Sequence, residues 1–175
     1  MTTEYLLNRE VERVLAALTP SNRLAMRVSL HTGLRISDVL GLRPEELKPV
    51  FWVTEQKTGK RRRVGLPAAL LEDLRSHSGK YWVFPGRNDE RKHRTRQAVW
   101  KDVKRAADAF RLRQNVGPHS ARKVYAVELL DKYGDIERVR KALNHSARYP
   151  STTLIYALAD KLLDAKYKKR GRCKA

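Results

Sequence analysis

Four short stretches of the chain carry side chains able to act on a phosphate. In His31-Thr32-Gly33-Leu34-Arg35-Ile36-Ser37-Asp38 an arginine follows a glycine-containing turn and opens a predicted helix. A guanidinium and backbone N–H groups point the same way there, which suits an anion. A surface Arg35 paired with Asp38 three residues on fits the same spacing. Gln56-Lys57-Thr58-Gly59-Lys60 reads as a hairpin tip from which a lysine can reach across a groove, or as an ordinary solvated turn. Gly117-Pro118-His119-Ser120-Ala121-Arg122 sets an imidazole and a guanidinium on one face of a first helical turn. That pairing suits a phosphate, and a capping histidine satisfies it too. The last stretch holds His145, then Tyr156 amid Leu154, Ile155 and Leu158, where a tyrosine by itself reads as packing.

Charge narrows the partner. Lys and Arg number 38 against 19 Asp and Glu, a formal +19, well beyond the magnitude of about 2 to 8 that keeps a small domain soluble. Such an excess points to a polyanion, nucleic acid first, with an enzyme and a ribosome-type scaffold both satisfying the arithmetic. The 175 residues are enough for one domain that buries roughly two-thirds of its unfolded surface, which excludes a disulfide-stapled miniprotein. The single cysteine, Cys173, has no partner in the chain, so a reducing compartment is expected. No apolar run approaches the roughly 18 residues of a membrane span, and the first ten residues lack a secretory pattern. A cytoplasmic protein without a membrane partner is the expectation. There is no His-Glu-x-x-His and no carboxylate cluster spaced for two cations, so neither a metal nor another cofactor is expected.

The elements that must position these residues are mostly helical. Asn8 can cap a helix with Val11, Val14, Leu15 and Leu18 on one face. Thr19-Pro20-Ser21 separates it from a second helix, about Asn22 to His31, stopped by Gly33. A short third helix follows from about Ile36 to Leu42. Phe51 to Thr54 and Arg61 to Leu66 read as two strands around the Lys57–Lys60 turn, with Tyr81 to Phe84 as a further strand after a helix over Ala68 to Ser76. Further helices are expected over about Thr95 to Phe110, His119 to Tyr133, Asp135 to Leu143 and Ser151 to Ala159, with Gly134 a C-terminal cap and Ser151 an N-terminal one. The fold class is mainly α with a small antiparallel β-sheet. Residues 1–165 form the domain and 166–175 a basic C-terminal tail.

Taken in order, Arg35, Lys57, His119-x-x-Arg122, His145 and Tyr156 resemble the catalytic domain of the tyrosine recombinases, the phage-integrase superfamily. The resemblance runs from about Asn8 to Leu158, and Asp38 matches an acidic position after the first arginine. It covers a minimal form, without the helical core-binding domain that precedes the catalytic one in many members. It implies double-stranded DNA as partner and a site-specific recombinase in which Tyr156 attacks the scissile phosphorus. Arg35 and Arg122 would neutralise the phosphate, Lys57 would protonate the leaving 5′-oxygen, and His119 and His145 would exchange protons or hydrogen bonds with it. A monomer when free and a homo-oligomer, a tetramer, on DNA are expected, in a prokaryotic, phage or plasmid setting. Leu158, Leu162 and Leu163 would form a stripe that docks on a neighbouring subunit. A type IB topoisomerase or hairpin-resolving strand transferase shares the residues, and a non-catalytic basic DNA-binding module shares the charge. The DNA-facing cations are expected at Lys60, Arg61, Arg62, Arg63, Arg94, Arg96 and Lys101. Duplex affinity should therefore fall with salt on a log–log slope steeper than about 3, and a shallower slope in a filter-binding titration would contradict a DNA-embracing surface.

Overall fold

The computed structural model describes residues 3–145. Its first compact unit is Met1–Tyr125 and its second Ala126–Ala175. In the first, α1 (Asn8–Ala17), α2 (Pro20–Thr32) and α3 (Ile36–Leu40) lead through a 3-10 turn at Pro44–Glu46 to a hairpin of β1 (Val50–Thr54) and β2 (Arg61–Gly65). After it come α4 (Ala68–His77), α5 (Arg96–Ala109) and the start of α6 (Pro118–Tyr133). The long helix α2 packs on α1, α3 and α4, while α5 packs on α1 and α3. Between them lies an apolar core in which Ala25, Val28, Leu34, Val39, Leu40, Leu74 and Phe84 are fully buried. The second unit continues α6 and adds α7 (Ile136–Ala142), with Asp135 capping α7 through its own carboxylate.

Helix limits follow local chemistry. Proline at the first position of α2 costs no hydrogen bond, because that N–H would be an orphan. A carboxylate of α5 ties this helix start down: Asp102 accepts from the Thr19 amide at 2.9 Å, the Thr19 hydroxyl at 2.8 Å and Asn22 Nδ2 at 2.7 Å. Gly33 ends α2 in the left-handed region at φ +65°, with the Tyr125 ring so near that a Cβ would meet its Cδ1 at 2.4 Å. Gly134 likewise closes α6 at φ +65°.

The hairpin alternates strictly. Phe51 and Val53 face inward, paired with Val64 and Arg62, while Trp52 and Thr54 face outward opposite Arg63 and Arg61. Trp52 remains 55% exposed, with the Arg61 guanidinium 5.3 Å from its ring centroid.

Two expectations fail. Tyr81 to Phe84 is not a strand: the described residues form one two-stranded sheet, with only an isolated bridge from Pro85 to His93 beyond it. Val83 and Phe84 are both buried, but no ladder forms along this stretch, and the Val83 amide is spent on Leu42 O. Asn8 is not the cap of α1 but its first residue. Leu7 takes the cap position, with its N–H held by the Glu10 carboxylate at 2.8 Å. The helix expected over Ser151 to Ala159 and the basic tail lie outside the described residues.

Two substitutions test this framework. Gly33→Ala adds both backbone strain and a clash, so it should cost about 2 kcal/mol or more in urea unfolding. An unchanged midpoint would contradict the close Tyr125 contact. At Asp102, burial alone would raise the carboxyl, but hydrogen bonds from Asn22, Arg105 and Thr19 outweigh it and lower the pKa from 3.8 to about 2. A depressed carboxyl gives stability that is complete above its unfolded value and lost as pH falls through the folded one. The loss thus falls between about pH 4 and pH 2 and is on the order of 2 kcal/mol. Asp102→Asn should flatten that limb of the stability profile and lower stability at neutral pH.

Candidate active site

The site begins where α2 stops. Leu34 is drawn into the core, its carbonyl accepting from Ser29 Oγ at 2.7 Å. Arg35 then takes extended backbone angles as the residue before α3. Its Nη1 lies 2.6 Å from Glu55 Oε2; the arginine side chain is 19% exposed and the glutamate fully buried. Arg35 therefore pairs with Glu55, twenty residues on, and not with Asp38. Asp38, buried on α3, accepts the Gln56 N–H at 3.0 Å through Oδ1. Burial raises the Asp38 carboxyl above its ordinary range; the Gln56 amide works against this and the Glu55 charge adds to it. Asp38 Oδ2 and Glu55 Oε1 are buried without a hydrogen-bond partner among the described residues.

The second arginine comes from the first turns of α6. Arg122 is 2% exposed, and its Nη1 donates to Gly33 O at 2.6 Å. Burial first, then the Arg35 and Arg62 charges, bring its pKa down to about 10, with Glu55 and Asp38 opposing; it stays cationic at neutral pH. A third guanidinium completes the group. Arg62, expected among the hairpin's DNA-facing cations, points inward between its outward neighbours Arg61 and Arg63 and donates to Thr32 O. Burial lowers its pKa too and the Arg35 charge adds to this, against the charges of Glu55 and Asp38.

Arg35, His119 and Arg122 line one cavity of about 490 Å³, with Ser37, Arg96 and Trp100 on its walls. Two guanidiniums and an imidazole around a concave space can hold a phosphodiester and exchange a proton with it. Lys57 stands exposed in the turn after β1 and does not line that cavity. Lys60, Arg61, Arg63 and Lys101 are exposed, whereas Arg94 is half-buried with Nε on Asn22 Oδ1. In the second unit the His145 carbonyl accepts from Arg140 Nη1 at 2.9 Å, while Arg140 Nε holds Glu137. Tyr156, Leu158, Leu162 and Leu163 lie outside the described residues. Among the described residues, no group of three or more His, Cys, Asp or Glu could hold a metal ion, and no helix is long and apolar enough to cross a membrane.

Sequence reasoning missed Glu55 and the inward turn of Arg62, yet a signal for both was present. Alternation along β1 puts Glu55 in phase with Phe51 and Val53, and alternation along β2 puts Arg62 in phase with Val64.

The profile of the phage integrase family matches residues 4–162. Tyrosine recombinase XerA of Thermococcus onnurineus (strain NA1) is 28% identical over 163 residues, covering 86% of this chain and 56% of that protein. Among solved structures, XerH site-specific recombinase bound to palindromic difH substrate, a post-cleavage complex, matches with a TM-score of 0.71 at 24% identity over 87% of this chain and 48% of its own. The catalytic domain of bacteriophage HP1 integrase matches with a TM-score of 0.68 at 22% identity, over 89% of this chain and 88% of that one. The chain spans about half the length of several curated relatives, 49% of one and 56% of another. With the mainly helical fold and small antiparallel sheet of tyrosine recombinase catalytic domains, matched along most of its length, the chain belongs to the phage integrase family.

Proposed function

We propose that the chain is the catalytic part of a site-specific DNA recombinase that cuts and rejoins strands through a covalent 3′-phosphotyrosyl intermediate, without metal or ATP. The observation that carries this reading is the cavity wall that joins Arg35, His119 and Arg122, backed by the buried Glu55 and Asp38. A phosphodiester bound there places its non-bridging oxygens on the two guanidiniums, which stabilise the extra charge of an in-line displacement. The cations on the protein thereby do the work of charge neutralisation.

Tyr156 Oη attacks phosphorus and its proton passes to His119. The P–O5′ bond breaks, the oxygen leaves with the electron pair, and Lys57 Nζ supplies its proton. His145 donates to a non-bridging oxygen. One phosphodiester is exchanged for another of similar energy, so a 5′-hydroxyl can reverse the step without ATP. Asp38 supports Arg35 through the local field. Lys60, Arg61, Arg63, Arg94, Arg96 and Lys101 would carry phosphates of the flanking duplex, and Arg62 would act inside the arginine group instead. The reading includes a homo-oligomer, a tetramer, formed on DNA by a chain that is monomeric when free and works in the cytoplasm. The leucine stripe after Tyr156 supports that assembly.

The test uses a duplex selected from a random pool and nicked beside the cleavage site, so that the cut fragment diffuses away and the intermediate accumulates. The wild-type chain should give a protease-sensitive protein–DNA band on a denaturing gel, and Tyr156→Phe should give none while binding the duplex normally. Arg35→Ala and Arg122→Ala should each slow adduct formation by about 10²- to 10³-fold. Adduct from Tyr156→Phe would refute the nucleophile, and salt-sensitive binding with no adduct from the wild type would leave a basic binding module.

A further inference from the structure

Glu55 is fully buried and uses one oxygen twice: Oε2 receives Arg35 Nη1 at 2.6 Å and Thr58 Oγ1 at 3.0 Å. Its backbone closes the turn as well. The Glu55 N–H donates to Lys60 O at 3.0 Å, and its carbonyl accepts from Gly59 N at 2.8 Å and Thr58 N at 3.3 Å. The next residue, Gln56, is fastened to α3 by its N–H on Asp38 Oδ1 and by its side-chain amide on Ser37 O at 3.2 Å. Between these tied residues stands Lys57, exposed, whose ammonium has no ion pair among the described residues. The turn is thus a braced mount for Lys57, and the brace runs through the carboxylate that also holds Arg35.

We propose that Glu55 is a positioning residue that sets Arg35 and Lys57 in one frame, with the Thr58 hydroxyl as its arm toward the turn. This rests on the cleavage reading above. In an in-line displacement the guanidiniums grip non-bridging oxygens while the acid must reach the leaving oxygen, opposite the nucleophile. The two functions come from different elements, α3 and the hairpin turn, and both need a shared reference. A buried carboxylate bonded to each supplies it. Lysine, a point charge on a flexible four-carbon stem, can serve as the acid only if its backbone is fixed.

The test compares two nicked duplexes, one with the ordinary 5′-bridging oxygen and one with sulfur in its place. A thiolate leaves without needing a proton, so the sulfur duplex bypasses Lys57. Thr58→Val, at an exposed position, removes the hydroxyl's bond to Glu55 and its 3.4 Å contact from the Lys60 N–H while leaving the Glu55–Arg35 pair in place, and should slow cleavage of the oxygen duplex by about 10- to 100-fold. On the sulfur duplex it should return to the wild-type rate, as Lys57→Ala should. Arg35→Ala should stay slow on both. Glu55→Gln loosens both partners and should recover on sulfur only in part. Thermal melting separates these effects from misfolding, and if Glu55→Gln does not fold, Thr58→Val carries the test alone. Wild-type rates for Thr58→Val on the oxygen duplex, or a deficit that sulfur leaves unchanged, would overturn the role of Glu55. An absence of adduct from the wild-type chain on both duplexes would overturn the cleavage reading itself, and with it this role.

Discussion

Three guanidiniums brought into one partly buried space repel one another and lose hydration, so the space exists only where something opposes those costs. Here Arg35, Arg62 and Arg122 feel each other's charge, and Arg122 shows the consequence in its lowered pKa. The compensation has two sources. Glu55 and Asp38 supply carboxylates from the hairpin end and from α3. The carbonyls of Thr32 and Gly33 supply the negative end of the α2 dipole, one to Arg62 and one to Arg122. Removing the Glu55 charge would leave Arg35 without its partner, a change that costs about 3–5 kcal/mol at buried pairs.

The balance is incomplete, and that is what makes it useful. Three guanidiniums, Arg35, Arg62 and Arg122, face two carboxylates, Glu55 and Asp38, so the cations outnumber their acids. A phosphodiester entering the cavity supplies the missing negative charge, and a displacement transition state supplies more. Preorganised positive charge of this kind favours the transition state over the ground state. The geometry depends on Gly33. Its left-handed φ turns the chain from α2 toward Arg35, its carbonyl holds Arg122, and its missing Cβ leaves room for Tyr125. A single glycine thereby links a helix end, an arginine and a ring.

Much of this architecture was legible in the sequence because its signals are local. Pro20 and Gly33 punctuate α2, the Lys57–Lys60 turn joins two strands, and Gly134 closes α6. The order of Arg35, Lys57, His119, Arg122, His145 and Tyr156 points to the family by itself. What failed depends on contacts distant in sequence. Tyr81 to Phe84 has strand composition, yet Val83 is claimed by the Leu42 carbonyl, and Phe84 by the core. Asn8 is a good cap by type, but Glu10 reaches back to Leu7 first. Arg62 looks like its neighbours in a run of basic residues, and only strand parity sends it inward. Glu55 is the instructive omission: an acid at a strand end reads as solvated until its phase with Phe51 and Val53 is counted.

The central claim is that the cavity between Arg35, His119 and Arg122 receives the phosphate that is cut. A crystal structure of the chain trapped on its nicked duplex tests it most directly. The account predicts phosphorus bonded to Tyr156 Oη, with non-bridging oxygens within hydrogen-bond distance of the Arg35 and Arg122 guanidiniums and Glu55 still paired with Arg35. A trapped phosphate held instead on the outer hairpin face, by Arg61 and Arg63, with the cavity empty, would contradict it.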